Sequence, residues 1–183
     1  MKSTLVILAV FLIGVNRLSV TNEDFKEIKS NHFRNLYQIN ESIYRSEQPS
    51  RKGFKELEKL GIKSVISFRR AKDDSKKAKG LSIQLEHIPL RSKDLTEHDI
   101  IKVLSVMKDA PKPLVIHCFH GSDRTGVIAA AYRVVFEDWT KERAIKEMRY
   151  PPFGYHEKWY PFLVDYIKYL DVESIRKELG LTK

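Results

Sequence analysis

The stretch Leu114-Val115-Ile116-His117-Cys118-Phe119-His120-Gly121-Ser122-Asp123-Arg124-Thr125-Gly126 decides how this chain folds and what chemistry it can carry. Leu114 to Ile116 is a short apolar run of strand character, and Val127-Ile128-Ala129-Ala130-Ala131 behind it is helix-like, so the residues between close a loop from a strand end to a helix start. Such a loop turns successive backbone N–H groups inward, and the helix N-terminus adds partial positive charge, which together make an anion nest. Cys118, the one cysteine of the chain, lies at the base of that nest. The same field favours thiolate over thiol, which is how helix N-termini and nearby cations lower cysteine pKa values from about 8.5 to roughly 3.5–7.5. Arg124 closes the loop with a planar fork suited to two phosphate oxygens. Gly121 supplies backbone freedom in mid-loop, Gly126 allows the helix start to pack closely, and Thr125 brings a hydroxyl near the sulfur. Cys118, Phe119, His120, Gly121, Ser122, Asp123 and Arg124 are therefore the expected phosphate cradle, with Cys118, Arg124 and Thr125 as catalytic candidates. An inert buried cysteine ahead of a capped helix would need neither the glycine-bearing loop nor the arginine.

The surrounding sequence supplies an α/β frame. Residues 50–60 read as a helix with Phe54, Leu57 and Leu60 on one face and Gly61 at its end. Strand signals follow at 62–68, 83–90 and 113–117, separated by helical segments, as a mainly parallel sheet requires. Thr96 caps a helix to about residue 108 with an apolar stripe of Ile100, Val103, Leu104 and Met107. Further helices are expected over 125–137, 140–150, 159–170 and 171–179, with Trp159 in the core. The run 72–79 carries both charge signs and reads as a solvated loop or short helix.

With 183 residues, 42% hydrophobic and 31% charged, the chain fits one globular domain with an adequate core. The formal net charge of +9 comes from scattered lysines and arginines, with no recognition helix or aromatic-interleaved RNA motif, so nucleic acid is not an expected partner. The basicity instead suits capture of anionic, phosphorylated partners. Lys2 followed by the largely apolar stretch from Thr4 to Val15, ended by Asn16 and Arg17, matches a secretory signal and is short for a membrane span. The expected organisation is a signal peptide or uncleaved anchor at 1–20, a lead segment at 21–34 and the catalytic domain at 35–183. The protein is then exported, periplasmic or secreted, and a lone cysteine there reads as a free reactive thiol.

His117-Cys118, five intervening residues, and Arg124-Thr125 resemble the signature of the cysteine-dependent protein tyrosine phosphatases, and residues 35–170 resemble the dual-specificity type. The segments Leu36-Tyr37-Gln38-Ile39, Ile43 to Ser50 and Leu60 to Arg69 are similar to that family's opening strands and first helix. The tail Gly154-Tyr155-His156 with Trp159 is most like an exported bacterial branch. The resemblance implies a phosphocysteine intermediate, no cofactor, no metal, and a mobile aspartate as general acid. It also implies that His117 orients the loop from the core side and supports the thiolate, while His120 and Phe119 shape the rim.

Active sites of open α/β sheets lie beyond the C-terminal strand ends, which puts the loop after residues 83–90 beside Cys118. That loop offers Asp94 as the acid that protonates the leaving group. Its rival, Asp99, lies three residues past Thr96, where it serves the helix N-terminus. A zinc site on His117, Cys118 and His120 lacks further ligands at suitable spacing. Inositol-lipid phosphatases of the superfamily tend to carry lysines where Phe119 and Ser122 stand, and the charge of Asp123 would repel a polyanionic headgroup. The expected substrates are phosphoproteins, phosphotyrosine first, acted on by a monomer. The alternatives are a phosphate-binding pseudo-enzyme, a thiol-based sulfurtransferase or redox protein, and an inositol phosphate phosphatase.

Overall fold

The computed structural model describes residues 24–181, and the expected signal segment lies outside them. Six strands form one sheet: β1 (Lys26–Glu27), β2 (Tyr37–Gln38), β3 (Ile43–Ser46), β4 (Ser64–Ser67), β5 (Gln84–His87) and β6 (Leu114–His117), in spatial order β1-β2-β3-β6-β4-β5. The last four in that order run parallel, whereas β1 and β2 join antiparallel at one edge. The α/β architecture is the expected one. Its antiparallel extension is made of strands two residues long, too short to leave a period in the sequence. From Asp24 on, the lead segment packs onto this frame, with Phe25 and Phe33 buried.

Every residue of β6 is buried because the strand has neighbours on both edges and helices over both faces. Alternation divides it. Leu114 and Ile116 face the larger core, built with α3 (Glu97–Asp109), α4 (Asp123–Phe136), α5 (Lys141–Met148), α6 (Phe162–Tyr169) and α7 (Val172–Glu178), while Val115 joins Val65 and, from α1 (Arg51–Lys59), Phe54 and Leu57 on the other face. Ser46, His117 and Ser67 are in register across β3, β6 and β4. Three strand ends therefore stop at one level, and the loops leaving them meet around Cys118.

The elements differ from expectation in three places. α4 starts at Asp123 and not Thr125, so Arg124 belongs to its first turn, which the 2.6 Å bond from Gly126 N–H to the Ser122 carbonyl closes. The helix expected from 159 starts at Phe162, just past Pro161, whose missing N–H costs nothing at a helix start. Trp159 is thereby left in an irregular segment and is 69% exposed, not in the core. Within the 72–79 run, α2 (Ser75–Ala78) is short as expected, but Asp74 ahead of it is buried.

Candidate active site

The loop after β6 is built from its carbonyls. His117 Nδ1 lies 3.0 Å from the Cys118 carbonyl, Gln48 N–H donates to Phe119 at 3.2 Å, Asn35 Nδ2 to His120 at 3.0 Å, and Arg45 Nη2 to Gly121 at 2.8 Å. Four consecutive carbonyls are thus held by the surrounding shell. Because a peptide's N–H points opposite its C=O, the N–H groups of this loop face the other way, toward the concave side above Cys118. Gly121 makes the curvature possible: its φ is 74°, and a Cβ there would lie 2.5 Å from the Ser46 backbone. Gly126 brings α4 onto α5, where a Cβ would stand 3.3 Å from Met148 Cγ. Thr125 Oγ1 is buried with no hydrogen-bond partner among the described residues.

Arg124 ends the loop in the first turn of α4. Its Nη1 donates to the carbonyls of Phe68 and Leu90, at 3.0 and 3.4 Å, just past the ends of β4 and β5. Those bonds fix the plane of the guanidinium. Arg124 lines a cavity of about 350 Å³ together with Asp94, which sits in a 3₁₀ turn over Ser92–Asp94. Asp94 meets Arg91 at 3.4 Å in a pair whose side chains are 61% and 64% exposed. An exposed pair of that kind contributes about 0–1 kcal/mol and leaves the carboxylate free to swing. Asp99 is instead committed to a capping box: Thr96 N–H donates to its carboxylate at 3.0 Å and its own N–H donates to Thr96 Oγ1 at 3.2 Å.

His117 is wholly buried. Its Nε2 meets the carboxylate of Asp74 at 2.7 Å. With Nδ1 facing the Cys118 carbonyl, the ring is held between that carbonyl and Asp74. Burial pushes the Asp74 carboxyl up, but bonds from His117 and Lys77 outweigh it and hold it below the ordinary carboxylate range. A carboxyl lowered by folding contributes stability above its unfolded pKa of about 3.9, and that stability is lost as pH falls through the folded value. Asp74→Asn should therefore lower stability by about 1–3 kcal/mol at pH 7, the range for hydrogen bonds to charged groups. Urea denaturation at falling pH should show the gap to wild type closing below about pH 4; a gap independent of pH would refute the ionised Asp74.

Arg45, from β3, is fully buried beneath the loop with its guanidinium 3.8 Å from the Phe153 ring centroid. Burial pulls it down to about 10, with Glu147 and Cys118 acting in the opposite direction. Asp123, expected inside the pocket, accepts bonds from His156 N–H at 2.9 Å and lies 3.0 Å from His156 Nδ1. Its charge is tied to that histidine, which weakens the repulsion expected against polyanions. Phe119 and His120 are exposed, and His156 stacks on Trp159 at 5.1 Å. Asn35, Arg45, Gln48 and Asp74 are the loop-holding residues that the sequence reading did not assign. Only Arg45 left a signal, as a lone cation in an otherwise strand-like segment.

The family model described as "Tyrosine phosphatase family" matches residues 29–178. The dual specificity protein phosphatase TpbA of Pseudomonas aeruginosa strain PAO1 is 31% identical over 145 residues, covering 78% of this chain and 65% of TpbA. The chain thus spans just under two thirds of the length of that relative. A crystal structure of P. aeruginosa TpbA superposes with a TM-score of 0.73 at 26% identity, covering 85% of this chain and 96% of that one. A Cys-to-Ser form of TpbA in complex with pTyr gives a TM-score of 0.71 at 26% identity, covering 85% and 100%. With its loop and sheet built as described and the family match running from 29 to 178, this chain belongs to the tyrosine phosphatase family.

Proposed function

We propose that the chain is a protein tyrosine or dual-specificity phosphatase working through a phosphocysteine. The observation that carries this reading is the outward anchoring of the carbonyls of residues 118–121, which turns the loop N–H groups to the inner side of a loop that begins at Cys118 and ends at Arg124. In the first step Cys118 Sγ attacks phosphorus, the P–O bond to the substrate breaks, and Asp94 protonates the departing oxygen. The loop N–H groups and Arg124 hold the non-bridging oxygens, where charge stabilisation matters most. In the second step Asp94, now a carboxylate, takes a proton from water, water oxygen bonds to phosphorus, and the P–S bond breaks to release inorganic phosphate. Phosphotyrosine is the favoured substrate because TpbA, similar in fold and sequence, was crystallised with pTyr.

The test is hydrolysis of p-nitrophenyl phosphate and of phosphotyrosine peptides with and without a chelator. Turnover that vanadate blocks and chelator leaves unchanged is expected; a protein that binds phosphate without releasing it from an ester is a pseudo-enzyme. We also propose that the protein is exported and acts on exported or membrane-protein domains, on the strength of Lys2 and the apolar run from Thr4 to Val15. Fractionation of a bacterial host should recover it with the periplasm or membrane, and full-length protein confined to the cytosol would refute this.

A further inference from the structure

We propose that Arg70, Arg91 and Lys93 form a second anion subsite beside the phosphate loop, selecting phosphotyrosine that has a carboxylate side chain next to it in sequence. The proposal rests on the phosphatase reading of the Cys118 loop. The three cations line the same cavity of about 350 Å³ as Arg124, and the one carboxylate in that lining is Asp94. An adjoining cavity of about 360 Å³ shares Arg70, Arg91 and Asp94, so the two arginines stand where the cavities meet. The carboxylates do not balance the site. Asp99 is held in the capping box and Asp94 is paired with Arg91, while Arg70 and Lys93 have no ion-pair partner among the described residues.

The placement is part of the catalytic frame. Arg124 is anchored on the carbonyls of Phe68 and Leu90, and those same strand exits carry Arg70 and Arg91. A phosphate monoester is met by the loop N–H groups and Arg124, which leaves two unpaired cations beside it to draw in further negative charge. Aromatic side chains stand near these cations: the Arg69 guanidinium lies 5.6 Å from the Phe119 ring centroid, and Tyr160 lines the same cavity. Phe119 is 46% exposed, and Trp159 stacks on a His156 that already binds Asp123. A phosphotyrosine peptide would lay a Glu or Asp toward the cations and its apolar side chains over these aromatic residues.

The experiment uses the full chain with Cys118→Ser, so that binding is read without turnover, and phosphotyrosine peptides with Glu, Ala or Lys within two residues of the phosphotyrosine. At low salt the Glu peptide should bind roughly three- to tenfold tighter than the Ala peptide, the effect of two exposed ion pairs, and the Lys peptide more weakly still. The preference should collapse at about 0.5 M salt, and Arg70→Gln combined with Lys93→Gln should bring the Glu and Ala peptides level. Equal binding of the three peptides, or a preference that survives the double substitution, would overturn the subsite. So would an inositol polyphosphate that outcompetes the Glu peptide through the same cations. Hydrolysis of the peptides by the protein with Cys118 intact keeps the two readings apart: turnover without preference removes the subsite alone, and preference in binding without any turnover removes the phosphatase reading alone.

Discussion

Cys118→Ser is expected to lower turnover of p-nitrophenyl phosphate and phosphotyrosine peptides by roughly 10⁴-fold or more, the scale on which loss of a nucleophile acts, while binding of phosphate survives. The two halves of that result have separate physical sources. Bond making needs the sulfur, because a serine hydroxyl in the same place remains protonated and is a poor nucleophile without an adjacent base. Anion binding needs the N–H groups of the loop and the guanidinium of Arg124, and neither depends on the sulfur. The loop is held from outside by His117, Gln48, Asn35 and Arg45. Isothermal titration with phosphate should therefore give an affinity within about tenfold of wild type, since the substitution removes none of those bonds and each tenfold corresponds to about 1.4 kcal/mol. Retained turnover would remove Cys118 as nucleophile. Lost binding with the fold intact would mean that the sulfur itself organises the nest.

That division mirrors what the sequence makes legible. Residues that act by chemical identity at fixed spacing, Cys118, Gly121 and Arg124, stand out in one dimension because a strand end, a loop and a helix start fix their geometry locally. Thr96 and Asp99 are legible for the same reason, as a capping box is a local arrangement. The shell that holds the loop is not local. Arg45 reaches Gly121 across 76 positions, Asn35 reaches His120 across 85, and Asp74 reaches His117 across 43. Each comes from a segment whose local pattern says something else: Asp74 lies in a mixed-charge run that looks solvated, and its burial depends on a histidine brought over by strand pairing. Trp159 is the converse case. Its size argues for the core, but Pro161 delays the helix and the ring finds a partner in His156 at the surface.

A similar long-range effect changes the electrostatics of the pocket. Asp123 opens α4, where a carboxylate is favoured by the helix N-terminus, and read alone it adds negative charge to the cradle. His156, 33 positions away, takes both oxygens of that carboxylate within 3.2 Å. The Asp123 charge is thereby tied to His156, and it is not part of the cavity lined by Arg70, Arg91, Lys93 and Asp94. The cavity beside Arg124 is thus lined by residues of the two strand exits together with Tyr160 from the irregular segment.

Asp94→Asn should slow phosphotyrosine hydrolysis by roughly 10²–10⁴-fold, the usual span of general acid catalysis. The loss should depend on the leaving group: a phenol of low pKa departs largely unaided, so its aryl phosphate should be hydrolysed nearly as fast by the variant, whereas alkyl phosphates should suffer most. The pH profile gives a second reading. An acid must carry its proton to act, so wild-type activity falls as pH rises through the acid's pKa, and removing the acid should flatten that alkaline limb. The geometry allows this role because Asp94 shares a cavity with Arg124 and is restrained only by an exposed pair with Arg91. Asp99 is restrained differently, accepting from both the N–H and the hydroxyl of Thr96 at 3.0 and 2.8 Å. Asp99→Asn should cost on the order of 1 kcal/mol of stability through the cap and leave the leaving-group dependence as in wild type. If Asp99→Asn produced the steep dependence and Asp94→Asn behaved as wild type, the acid would have to leave its cap to reach the substrate, and the turn over Ser92–Asp94 would serve binding alone.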